Sequence, residues 1–159
     1  MAMVLFLLSA CKENEDSQSS PVIYMSYFVH HPLGSGQKQD TLDLTPVSGH
    51  YVADSIAVGD TVRFDVLLNA VTNILTSFVV QTDTNYLTLR IIPYADLQKA
   101  LTTESRVDDG LLYFKTGYGQ GSVPMMYISK KSGKASVDMK LSSTSVYSPA
   151  SLSVTQPIR

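Results

Sequence analysis

The chain has 159 residues, 44% of them hydrophobic and only 16% charged, which fits one ordinary domain and excludes a disordered, solvating polymer. Twelve lysines and arginines against fourteen aspartates and glutamates leave a net charge of −2, without the clustered basic side chains that nucleic-acid binding needs. Beyond residue 21 no internal repeat or domain-scale linker interrupts the chain.

The first ten residues, Met-Ala-Met-Val-Leu-Phe-Leu-Leu-Ser-Ala, are uncharged and almost wholly apolar. The run is shorter than the ~18–20 residues that a membrane-crossing helix needs. It has the length of the apolar region of a secretory signal, ~7–15 residues. It ends Leu8-Ser9-Ala10-Cys11, which resembles the lipobox of bacterial lipoproteins: an aliphatic residue, two small residues and a cysteine. That resemblance implies cleavage before Cys11 and lipid attachment to its thiol, so that Leu8, Ser9 and Ala10 form the cleavage site and Cys11 the membrane anchor. The competing reading is a buried N-terminal strand or helix with an inert cysteine. No Lys or Arg precedes Cys11, whereas a signal peptide carries a basic leading segment, so the reading frame is expected to open upstream of Met1.

Residues 11–20 read as a polar tether that lacks the apolar groups to repay its ordering. Lys12, Glu13, Glu15 and Asp16 together carry −2, which leaves eleven charges of each sign in the rest of the chain and puts the whole net charge beside the anchor. Acidic residues directly after such a cysteine resemble the surface-export signal of Bacteroidetes lipoproteins, which implies an outer-membrane protein facing the cell exterior. A merely solvated tether is the alternative. With Cys11, the one cysteine, acylated, no thiol remains for a disulfide or a thiolate metal site.

From Val22 onward, period-two alternation predicts strands. Val62, Phe64, Val66 and Leu68 alternate with mostly polar residues, as do Leu87, Leu89 and Ile91, then Leu112 and Phe114, then Ala135, Val137, Met139 and Leu141. Further strands are expected at 22–29, 75–81, 123–129 and 150–155. Turns are expected at Gly34-Ser35-Gly36, Gly59-Asp60, Asp108-Asp109-Gly110 and Ser132-Gly133-Lys134. One short helix is expected at Tyr94–Thr102, behind Pro93, with Leu97, Ala100 and Leu101 on one face. Seven to nine short strands predict an all-β antiparallel sandwich over residues 21–159.

Two segments carry a second resemblance. Ser132–Leu141, a Gly-x-Ala entry into alternating aliphatics, resembles the penultimate strand of bacterial immunoglobulin-like domains. Ser55–Phe64 resembles the Val-Gly-Asp turn before an early strand of such domains. This implies an immunoglobulin-like architecture and no particular activity.

Sites for chemistry are few. His30, His31 and His50 all lie in the first third; neighbours on a strand point to opposite faces, so His30 and His31 are expected at an exposed strand end before Pro32. There is no Gly-x-Ser-x-Gly elbow, and Asp83-Thr84-Asn85 lacks the glycine and glutamate of a calcium loop. Asp40-Thr41-Leu42, Asp54-Ser55-Ile56 and Asp60-Thr61-Val62 resemble the sites of Bacteroidetes protein O-glycosylation. Gly117-Tyr118-Gly119 could present a tyrosine to a ligand on a flexible loop, or could simply be a wide turn or bulge.

The expectation is a non-enzymatic outer-membrane lipoprotein, without cofactor or metal, that binds a protein or polysaccharide partner. A structural envelope or fimbria-related subunit is the alternative, and a hydrolase built on a histidine–acid pocket comes third.

Overall fold

The computed structural model describes residues 19–34, 36 and 38–159. Leu8, Ser9, Ala10 and Cys11, with the rest of residues 1–18, lie outside the described residues. Alternation becomes burial in the way the period demands. On Thr61–Asn69, Val62, Phe64, Val66 and Leu68 are buried while Arg63, Asp65 and Leu67 face water. Gly133–Ser143 does the same with Ala135, Val137, Met139 and Leu141 inside.

Among the described residues, twelve strands result. They are β1 (Val22–Met25), β2 (Phe28–His31), β3 (Asp40–Leu42), β4 (Leu44–Val47), β5 (His50–Ala53), β6 (Thr61–Asn69), β7 (Leu75–Thr82), β8 (Leu87–Ile91), β9 (Leu111–Tyr113), β10 (Gln120–Ser129), β11 (Gly133–Ser143) and β12 (Ala150–Ile158). The one α-helix among the described residues is α1 (Ala95–Ala100), and a 3-10 turn spans Val107–Asp109. One sheet runs β3-β2-β6-β10-β8, with β1 also on β6; the other runs β4-β5-β12-β11-β7-β9.

The fold is an all-β sandwich. Its central order is that of an immunoglobulin domain: β2-β6-β10-β8 stand where strands A, B, E and D stand, and β12-β11-β7 where G, F and C do. The strands number twelve rather than seven to nine because the segment 22–53 breaks into five short pieces. One of these gives the single departure from antiparallel pairing among the strands. The chain leaves the first sheet after Leu42, joins the second at Leu44, turns at Gly49, and β5 then runs parallel to β12, with Tyr51 opposite Val154. Helix α1 follows Pro93 as expected and buries Leu97 and Ala100. It carries the chain from the first sheet, where Ile92 N–H donates to the Pro124 carbonyl, to the second, where Lys115 N–H donates to the Ala100 carbonyl.

The inner faces meet in one core. Phe28 and Phe64 stack with centroids 4.2 Å apart, and Tyr127 stands edge-on to both at 6.5 and 5.9 Å. Burying each such ring contributes roughly 1.5–3 kcal/mol, so these side chains anchor the first sheet over the second.

Candidate functional site

Three places gather functional groups, beginning with the histidines. β2 sits between β3 and β6, so His30 lies opposite Asp40 on one side and Val62 on the other. Its Nδ1 is 2.7 Å from Asp40 Oδ1 and its Nε2 is 2.8 Å from Asp60 Oδ2. The expected exposed strand end is therefore corrected for His30, whose side chain is only 12% exposed because β3 and the 57–60 turn close over it. Asp60 is buried, and its carboxylate also accepts N–H donors from Leu33 and Ala57, both at 2.8 Å. Burial pushes the Asp60 carboxyl up, but the Leu33 N–H, the His30 side chain, the Ala57 N–H and the His30 charge outweigh it and hold the group below the usual carboxylate range.

The turn before β6 is built for this contact. Gly59 sits at φ 91, and a Cβ there would meet Leu33 Cδ2 at 2.5 Å. Ser129 at the end of β10 locks the turn: its hydroxyl donates to the Ala57 carbonyl at 2.7 Å, and Gly59 N–H donates to the Ser129 carbonyl at 2.9 Å. Asp60 thus joins β2, β6 and β10, and both ring nitrogens of His30 are taken up by carboxylates. His31 points to the other face, where burial and then the charges of Arg63 and His30 hold its imidazole below the usual histidine range. His50 is separate, opposite Val47 on the β4–β5 hairpin. Among the described residues, no group of three or more His, Cys, Asp and Glu side chains is arranged to hold a metal ion.

Tyr118 is placed by backbone bonds. Leu75 N–H donates to the Tyr118 carbonyl at 2.7 Å and Ala70 N–H to the Gly119 carbonyl at 2.8 Å, which ties the loop to the β6–β7 turn. Tyr118 is half-buried and packs on the core rather than standing free. Gly117 takes φ 99, and a Cβ on Gly119 would come within 3.3 Å of the Asn73 carbonyl, so both glycines serve the turn geometry. Asp83 likewise makes a turn, its Oδ1 accepting from Asn85 N–H at 2.9 Å.

The third place is a cleft of about 680 Å³ between the sheets at their open edge. One wall is β8, with Leu87, Leu89 and Ile91; the other is Val80 to Thr82 of β7, with Asp108 and Lys130 at the rim. Bonds to β10 come from Ile92 N–H to the Pro124 carbonyl and from Lys130 N–H to the Tyr86 carbonyl. The even-numbered residues therefore face β10, and the backbone groups of Leu89 and Ile91 face outward, where the sheet has no further strand. On β7, β9 covers only Ser77 to Val79. The cleft thus joins apolar walls to an unpaired row of N–H and C=O groups, an arrangement suited to holding an extended chain. Sequence periodicity marks the alternating leucines of β8 but carries no sign that the strand is an edge.

No protein-family model matches the chain, and no curated protein matches it. Among solved structures, domains 4 and 5 of the S-layer protein SbsC align with 14% identity and a TM-score of 0.40, over 79% of this chain. The aligned region spans 61% of that structure's chain. Likeness at this level transfers no function. Among the described residues, no helix is long and apolar enough to cross a membrane.

Proposed function

We propose that this is a non-enzymatic lipoprotein of the Bacteroidetes surface type, anchored in the outer membrane through Cys11 and facing the cell exterior. Residues 11–20 serve as its lipidated tether and the sandwich as a binding module. The observation that carries the reading is Leu8-Ser9-Ala10-Cys11 set directly after an apolar run and directly before an acidic, polar stretch. The anchor needs no spanning segment. The partner is protein or polysaccharide. The free β8 edge favours an extended protein segment, because a peptide supplies the alternating donors and acceptors that a strand edge presents.

Protease treatment of intact cells, with a periplasmic protein as lysis control, tests the reading. Digestion without lysis supports surface exposure, and Cys11→Ser should move the protein out of the membrane fraction. Protection until lysis would overturn the outward-facing placement.

The same edge favours a second reading, a structural subunit whose β8 pairs with another copy. Concentration-dependent oligomers on gel filtration would support it over the binding module, and a monomer at all concentrations would remove it.

A further inference from the structure

The end of the sandwich at which the chain enters is unlike the rest of its surface. Val22 of β1 and Gln120 of β10 both lie opposite Asn69, the last residue of β6. The Asn73 amide donates to the Ser19 carbonyl at 3.2 Å, and Thr144 N–H donates to the Ile74 carbonyl at 2.9 Å. Together with the bonds from Ala70 and Leu75 to the 118–119 loop, these contacts bring residues 19–21, 70–74, 116–119 and 144–149 into one surface. None of those residues carries a charge; the charged side chains nearest them at this end are Lys115, beside the 116–119 loop, and Asp96 and Lys99 of α1. The opposite end, where β11 starts and β12 finishes, has Asp54, Asp83, Lys130, Lys131, Lys134 and Arg159.

Apolar groups stand out from this surface. Val146 is 69% exposed, Tyr147 49% and Val71 48%. One step inward, Tyr24 and its cross-strand partner Leu67 are 53% and 49% exposed. Val71 is held at φ 62, a conformation that a β-branched residue rarely takes, with its N–H donating to Asn69 Oδ1 at 2.7 Å. The turn keeps this isopropyl group in the open against its backbone preference.

We infer that this end of the domain rests in the interfacial layer of a lipid bilayer, an inference that rests on the reading of Cys11 as the anchor. The length of chain ahead of the sandwich selects the occupant. Cys11 precedes Ser19 by eight residues, which span at most ~28 Å, so this surface is the part of the domain closest to the anchored cysteine along the chain. A surface entering the headgroup region must not carry charges away from water: these four segments have none, and Lys99 and Lys115 at their margin have long stems that keep their charged heads in the wet layer. Tyrosine suits that layer because its ring is apolar and its hydroxyl stays wet, while the valines reach deeper. The contact turns a domain swinging on its tether into one with a fixed orientation, with the opposite end and its loops directed away from the membrane. Because the groups that enter the layer are uncharged, the contact with a zwitterionic bilayer depends little on salt.

The test uses the full-length, acylated chain on vesicles of phosphatidylcholine and phosphatidylethanolamine. Acylation leaves no free thiol, so Val146→Cys and, at the opposite end, Lys131→Cys can each carry a single environment-sensitive fluorophore. Nitroxide lipids should quench the label at 146 several-fold more than the label at 131, equally at low and high salt. Adding Val71→Asp should bring quenching at 146 down to the level seen at 131. Equal, weak quenching at both positions on protein that sediments with the vesicles would overturn the inference and leave the anchor intact. A label at 146 that is shielded from water yet not quenched would also overturn it, in favour of a protein covering the tip. Should the chain prove to lack the lipid, the anchor reading fails. Quenching at 146 on lipid titration would then still support the tip contact, and its absence would overturn it.

Discussion

The Tyr127 hydroxyl donates to Gln156 Oε1 at 2.5 Å across the interior of the sandwich, joining β10 of one sheet to β12 of the other. Both side chains are fully buried, and the Gln156 amide also donates to the carbonyls of Asp54 and Pro157, at 2.7 and 2.9 Å. Burial pushes the Tyr127 phenol above the usual tyrosine range, so it stays a donor at any physiological pH. Tyr127→Phe keeps the ring but leaves Gln156 Oε1 without its donor, and should cost about 1–3 kcal/mol in urea unfolding. In a double-mutant cycle with Gln156→Leu the two losses should be clearly non-additive. Additive losses would mean that the two side chains do not act as a pair.

Asp60 sets the acid limit of the fold. Its carboxyl is held below the usual range, so its contribution is fully present above an ordinary aspartate pKa of ~3.9 and is lost as pH falls through the lower value of the folded state. Asp60→Asn should lower stability at pH 7 by about 1–3 kcal/mol and flatten the acid limb of the stability–pH curve. Asp40→Asn should do much less, because Asp40 is 64% exposed and meets His30 largely in water. Unfolding curves at several pH values check both. An acid limb unchanged in Asp60→Asn would place the sensitivity elsewhere.

Gly110 closes the 3-10 turn at the mouth of the β7–β8 cleft. It takes φ 73, its N–H donates to the Val107 carbonyl, and a Cβ there would fall 2.3 Å from the Val80 carbonyl oxygen. That carbonyl belongs to backbone, so neither a side-chain rotation nor a small shift relieves the clash. Gly110→Ala should cost at least about 1–3 kcal/mol. Gly49→Ala, also at positive φ but with open space around its Cβ, should cost less. Thermal melts of the two variants give the comparison, and equal losses would mean that backbone conformation, not the Val80 contact, sets the cost.

How much of this was legible depends on whether the determinant is local. β6, β8, β11 and α1 follow from alternation and helical spacing because each buries one face of a continuous segment. β3, β4 and β5 are three or four residues long, with Asp43, Pro46 and Gly49 among them, too short for a period to register. The segment 22–29 reads as one strand but splits, because Ser26 bonds Asp65 through both its N–H and its hydroxyl and shifts the chain before Phe28. The His30–Asp60 contact joins residues thirty positions apart through a sheet edge and a turn, so no spacing announces it. The sequence did single out the Gly59-Asp60 turn that makes the contact. Gly117-Tyr118-Gly119 stood out for its glycines, and the two carbonyls it gives to the β6–β7 turn explain them.

If the β8 edge holds an extended partner, the outward N–H of Leu89 is the donor that matters most, since it lies at the centre of the strand. Leu89→Pro removes that N–H without breaking a bond to β10, because residues 88 and 90 carry the ladder. Proline is tolerated on an edge strand when the lost donor faces solvent. The variant should fold, with a loss of stability close to that of Leu89→Ala, which removes the same side-chain packing. The two then separate on binding. Leu89→Pro should abolish retention of a cell-surface partner by the immobilised protein, while Leu89→Ala should weaken it only a few-fold. Equal retention by the two variants would rule out strand addition and leave recognition to the side chains at the rim, Asp108 and Lys130 first among them.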